Sequence, residues 1–77
     1  MKLVFNMDGV ICTEEVPELY KWAQPLLNVP EFMQWLKKNG HHITIWCERT
    51  NEMQVKMATE EWLEINNVPY DRLLFDR

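Results

Sequence analysis

Apolar residues in this chain follow two alternating rhythms, short unbroken runs and stripes at helical spacing. The first run, Leu3-Val4-Phe5, leads into Asn6-Met7-Asp8-Gly9 and then Val10 and Ile11. It predicts a buried strand that delivers Asn6 and Asp8 to its C-terminal tip, with Gly9 permitting a sharp exit. Residues 10–27 show neither period and predict a loop, within which Leu19, Tyr20 and Trp22 allow a short helical turn before Pro25. A helical stripe follows, with Val29, Phe32, Met33 and Leu36 at i, i+3, i+4 and i+7. Asn28 with Glu31 three residues later resembles a capping box, Lys37 and Lys38 suit the negative end of the helix dipole, and Gly40 provides a stop. His41 to Cys47, rich in β-branched residues and followed by polar Glu48-Arg49-Thr50-Asn51, predicts a second strand. Met53, Met57, Ala58, Trp62 and Ile65 predict the apolar face of a second helix running from Asn51 or Glu52 to Asn66. Asn67 is suited to the left-handed terminal position there, and Pro69 prevents continuation. Leu73-Leu74-Phe75 predicts a short third strand.

A strand, a helix and a strand with short connections make a right-handed parallel crossover. The chain is therefore expected to be one α/β domain over residues 1–77, with the Cys47-Glu48-Arg49-Thr50 tip beside the Asp8 tip. In open α/β sheets, ligands bind at such strand tips. A chain of 77 residues buries only roughly 60% of the surface its unfolded form exposes, so the four Trp and five Met are expected to supply core volume. The net charge of −4, with eight Lys and Arg scattered along the chain, disfavours nucleic-acid binding. No apolar stretch reaches the length of a membrane span and no signal-peptide pattern opens the chain, so a cytoplasmic location is expected. Cys12 and Cys47 are then expected to be free thiols. His41 and His42 point to opposite faces of a strand and do not combine into one metal site. Glu14 with Glu15, and Glu60 with Glu61, read as solvated charge pairs.

The residues around Asp8 resemble a known family. A hydrophobic strand followed by D-x-D-G-[TV] is the signature of the haloacid dehalogenase (HAD) superfamily of Mg-dependent phosphatases, in which the first Asp attacks phosphorus and the second shuttles a proton. This chain carries N-x-D-G-V, so Asp8 matches the second carboxylate and Asn6 stands at the nucleophile position. The resemblance extends over nearly the whole chain. It is similar to the small cap-poor phosphatases found with capsular polysaccharide genes, in which the second strand ends in T-A-R and the third is followed by K-P. Cys47 takes the place of that Thr, Arg49 is kept, and Arg77 falls at the Lys.

The resemblance implies a three-layer, Rossmann-like fold built from a βαβαβ unit in the order 3-2-1, with residues 10–27 as a flap. It also implies phosphate contacts from Gly9, Cys47, Arg49 and Arg77, and Mg held by Asn6 and the Asp8 backbone carbonyl. The implied substrate is a small phosphorylated metabolite such as a sugar phosphate. Each departure weakens that chemistry. An amide neither attacks phosphorus nor brings charge to a hard cation, and the acidic pair that completes the family's Mg site lies beyond the matched motifs. Asn6 reads either as a phosphate-contacting remnant or as a structural amide, and Cys47 most simply as a small core residue. In the order 3-2-1 the first strand is an exposed edge, which implies either chain beyond residue 77 or a partner covering it. The expectation is a phosphatase-like protein with a weak or inactive site. The alternative is a non-catalytic phosphate-binding or protein-interaction module that assembles through that edge.

Overall fold

The three stretches read as strands lie side by side in one parallel sheet. The computed structural model describes residues 1–75. It contains β1 (Lys2–Asn6), a 3-10 helix (Pro17–Trp22), α1 (Val29–Lys38), β2 (His42–Cys47), α2 (Met53–Ile65) and β3 (Arg72–Phe75). β2 is central, so the order reads 3-2-1 from the β3 edge. In register, Lys2 aligns with His42 and Asn6 with Trp46, while Thr44 aligns with Arg72 and Cys47 with Phe75.

Side-chain alternation divides the sheet into two unlike faces. Leu3, Phe5, Ile43, Ile45, Cys47, Leu73 and Phe75 face a single core completed by Met33 and Leu36 of α1 and Trp62 and Leu63 of α2. Lys2, Val4, Asn6, His42, Thr44, Trp46, Arg72 and Leu74 occupy the other face. The expected third layer is therefore not formed by the described residues, which make two layers. The reason is geometric: when sequential strands add in one direction through right-handed crossovers, every crossover helix lands on the same face.

Both helices end as their sequences predict. Gly40 has φ +84, its N–H donates to the Lys37 carbonyl at 3.1 Å, and the His41 N–H donates to the Leu36 carbonyl at 3.0 Å. Asn67 has φ +57 and repeats the pattern, with its own N–H to Glu64 at 3.1 Å and the Val68 N–H to Leu63 at 2.9 Å. These are Schellman closures. The start of α1 differs from expectation. Asn28 adopts a left-handed conformation with φ +63 and makes no side-chain cap, so no capping box forms. Its tolerance of positive φ, rather than its side-chain oxygen, is what the turn uses.

The helix faces are also narrower than their patterns suggested. On α1, Phe32 is exposed and stacks on Trp35 with ring centroids 6.5 Å apart, leaving Met33 and Leu36 as the buried pair. On α2 the buried residues are Thr59, Trp62 and Leu63. Met53, Met57 and Ile65 lie outside, the first two 75% and 61% exposed. The inward face is rotated by about one residue toward Thr59, because Arg49 draws that hydroxyl inward as described below. Of the four Trp, only Trp62 is in the core. Among the Met, Met7 and Met33 are buried.

Candidate functional site

The last rung between the first two strands is the bond from the Met7 N–H to the Trp46 carbonyl at 3.0 Å. Beyond it the chain turns back tightly. The Ile11 and Cys12 N–H groups both donate to the Met7 carbonyl, at 3.0 and 3.2 Å, and the Gly9 N–H donates to Cys12 at 2.8 Å. Gly9 has φ +86, a value that strains any other residue. The turn holds Asp8 over the sheet tip. The loop that follows has paired arms: the Leu26 N–H donates to Ile11 at 3.0 Å, and the Thr13 N–H to Gln24 at 2.9 Å. Trp62 Nε1 donates to the Ala23 carbonyl at 2.8 Å and pins the loop to α2.

Arg49, at the tip of β2, is 3% exposed. Its Nε donates to Asp8 Oδ2 at 3.0 Å and its Nη2 to Asp8 Oδ1 at 2.7 Å, a bidentate fork. Nη1 donates to Thr59 Oγ1 at 3.0 Å, and the Thr59 hydroxyl in turn donates to the Val55 carbonyl at 2.8 Å. The Tyr20 ring covers the guanidinium, with the ring centroid 3.8 Å from Cζ. Burial works against the Arg49 charge, but the Asp8 carboxylate more than offsets it and raises the Arg49 pKa above its ordinary value. Cys12 lies against the pair, its Sγ 3.7 Å from Asp8 Oδ1. Burial, then the Asp8 charge, pushes the Cys12 thiol up to about 12. It is therefore no nucleophile at neutral pH.

Above this pair opens a cleft of about 370 Å³. Asn6, Trp46 and Glu48 line it from the strand tips, Glu14, Glu15 and Tyr20 from the loop, and Asp8 and Arg49 form its floor. Among the described residues, four carboxylates thus line the cleft with one guanidinium, each of whose three nitrogens already donates a hydrogen bond within the protein.

The sequence-predicted residues divide accordingly. Asn6, Asp8 and Arg49 meet at the cleft. Gly9 shapes the turn without lining it. Cys47 is fully buried on the helix-covered face, turned away from the cleft, and burial pushes its thiol up to about 12. Arg77 lies outside the described residues. Glu14 and Glu15, read as a solvated pair, belong to the cleft wall. Thr59, Tyr20 and Trp46 carried no motif signal; only their contacts with, or closeness to, the Arg49 tip reveal them.

The donor set does not fit Mg. The implied ligands are a neutral amide and a backbone carbonyl, where a hard dication needs charged oxygens, and both oxygens of the adjacent Asp8 carboxylate accept from Arg49. Among the described residues, no group of three or more His, Cys, Asp or Glu is placed to hold a metal ion. No described helix is long and apolar enough to cross a membrane.

No protein-family model and no curated protein sequence matches the chain. Its fold is similar to a crystal structure of an MCSG target from Vibrio cholerae, with a TM-score of 0.80 at 26% identity over 96% of this chain and 68% of that one. It is also similar to part of a Pnkp1/Rnl/Hen1 complex, with a TM-score of 0.78 at 20% identity over 96% of this chain and 27% of that one. The second likeness, at that identity, shows the α/β fold alone.

Proposed function

We propose that this chain is a HAD-like, phosphatase-related domain in which the machinery for hydrolysing small phosphorylated metabolites is degenerate. The observation that carries this reading is the fork between Arg49 and Asp8. The carboxylate at the acid-base position is held as a structural acceptor, while the neighbouring nucleophile position presents the amide of Asn6 to the cleft. The carboxylates of Glu14, Glu15 and Glu48 repel a bare phosphate, and among the described residues lining the cleft the only cation, Arg49, is already paired with Asp8. A generic aryl phosphate assayed with Mg tests the reading. The wild type is expected to match the blank, and Mg-dependent turnover by it would overturn the proposal. Turnover gained by Asn6→Asp would locate the loss at the nucleophile alone.

A second reading, a module that assembles through its sheet edge, is favoured by one observation. Among the described residues β1 pairs only with β2, leaving its outer side unpaired.

A further inference from the structure

We propose that Asn39 is a site of spontaneous covalent modification, deamidating through a cyclic imide formed with Gly40, and that the Schellman closure of α1 is the gate that sets its rate.

The chain has two glycines, and each follows a residue that can form such a ring: Gly9 follows Asp8 and Gly40 follows Asn39. A glycine leaves its own nitrogen unhindered for attack on the preceding side chain. Every other Asn precedes a residue with a side chain, which crowds that approach. The structure separates the two candidates. Both Asp8 oxygens are held by Arg49, at 3.0 and 2.7 Å, and the Gly9 N–H is tied to the Cys12 carbonyl at 2.8 Å. A ring at that position would have to break the fork, and a carboxylate must also be protonated before it loses an oxygen. Asn39 and Gly40 are exposed at the end of α1, and the Asn39 amide is a better leaving site, held by one bond from Nδ2 to the Trp35 carbonyl at 2.8 Å.

The closure of α1 keeps the reacting atoms apart. Asn39 has ψ 16, so the Gly40 nitrogen lies nearly eclipsed with the Asn39 nitrogen and away from the Cβ that carries the amide. The Gly40 N–H is occupied by the Lys37 carbonyl at 3.1 Å, and the His41 N–H by the Leu36 carbonyl at 3.0 Å. Attack requires both a rotation about ψ and a free Gly40 N–H, so the last turn must open first. Helix ends are where such opening takes the least free energy.

Once the turn opens, the Gly40 nitrogen bonds to Asn39 Cγ, the Cγ–Nδ2 bond breaks, and Nδ2 departs as ammonia with the proton that Gly40 gives up. Water then adds to either ring carbonyl. Cleavage at Cγ leaves Asp, and cleavage at the backbone carbonyl leaves isoaspartate, with the chain routed through Cβ. No oxidant or reductant takes part. Either product sets a carboxylate at the negative end of the α1 dipole. Isoaspartate also lengthens the backbone by one carbon between α1 and β2, which the paired bonds of the closure do not accommodate. None of this depends on the phosphatase-related reading, so the failure of one leaves the other standing.

Peptide mapping by mass spectrometry of the full chain, aged in neutral buffer, tests the proposal. Asn39 is expected to be the first residue to show the mass gain of an amide-to-acid change, and Asn39→Gln to lose that gain. In the full chain unfolded by urea the reaction is expected to run at least ~10-fold faster. The protection factor of the Gly40 amide in native-state hydrogen exchange should match that ratio within ~3-fold, because both processes need the same bond to open. The isoaspartate form, separated by anion exchange, should melt below both the wild type and Asn39→Asp. Another Asn reacting first, a gain that survives in Asn39→Gln, or equal rates in folded and unfolded chains would each overturn the proposal. So would a slowing that equals the global unfolding constant, or an isoaspartate form that melts with the wild type.

Discussion

The two faces of this sheet are made from alternate residues of the same three strands, yet they do different work. Ile43, Ile45 and Cys47 of β2 are fully buried beneath α1 and α2, whereas their neighbours His42 and Trp46 retain solvent contact. The covered face owes its composition to packing, so its residues are interchangeable with others of similar volume. The open face carries what packing does not demand: an amide at a strand tip and a tryptophan beside a carboxylate-lined cleft. All-parallel sheets are ordinarily covered on both faces, whereas the described residues cover one face of this sheet.

Truncating one residue on each face should separate them most widely. Ile45→Ala removes a side chain with no exposure and is expected to cost about 2–5 kcal/mol, the range for large-to-small changes in a packed core. Leu74→Ala, on a side chain 40% exposed, is expected to cost about 1 kcal/mol or less. Urea denaturation of both variants checks this. Equal losses would mean that the open face is covered in solution.

Arg49 joins the two regions, since its guanidinium is buried while its acceptor Asp8 reaches the cleft with 18% of its side chain exposed. Removing one partner of a buried pair strands the other charge, so Arg49→Ala is expected to cost about 3 kcal/mol, the lower end of the usual range because Asp8 regains water. Asp8→Asn keeps an acceptor for the fork and should cost less. In a double-mutant cycle the combined loss is expected to fall short of the sum, because the pair is a single unit. Strict additivity would show that the fork contributes nothing.

Much of this arrangement is legible in the sequence, and the illegible part has a common cause. Strand and helix positions follow from local period, and both helix stops from Gly40 and Asn67, because those signals are intrinsic to a few neighbouring residues. Asp8 and Arg49 were expected at adjacent strand tips for the same reason: a parallel crossover brings them there. What the pattern missed depends on partners remote in sequence. The inward face of α2 turns on Thr59, a polar residue that apolar periodicity ignores and that is buried because Arg49 needs an acceptor. Phe32, Met53 and Met57 satisfied the helical stripe yet lie outside it, since two short helices cover only one side of a narrow sheet. The layer count depended on strand order taken together with crossover hand, which local period does not encode.

Asp71 supplies the smallest effect and the one that pH can read. Its Oδ1 accepts from Lys37 Nζ of α1 at 2.6 Å, and its Oδ2 accepts from the Ile43 N–H of β2 at 2.7 Å. The residue thereby ties the helix layer to the covered face at the start of β3. The Lys37 bond, then the Ile43 N–H, holds its carboxyl below the usual carboxylate value of 3.8. A carboxyl with a depressed folded-state pKa binds protons more readily when unfolded, so its contribution is present in full above the unfolded value and disappears as pH falls through the folded one. The wild type should therefore lose stability on acidification below about pH 4 more steeply than Asp71→Asn. At neutral pH the variant should melt slightly lower than the wild type, and the two curves should converge in acid. Because both side chains are partly solvated, added salt should narrow the neutral-pH gap. Parallel curves across the whole acid range would mean that the fastening of α1 to the covered face owes nothing to this charge.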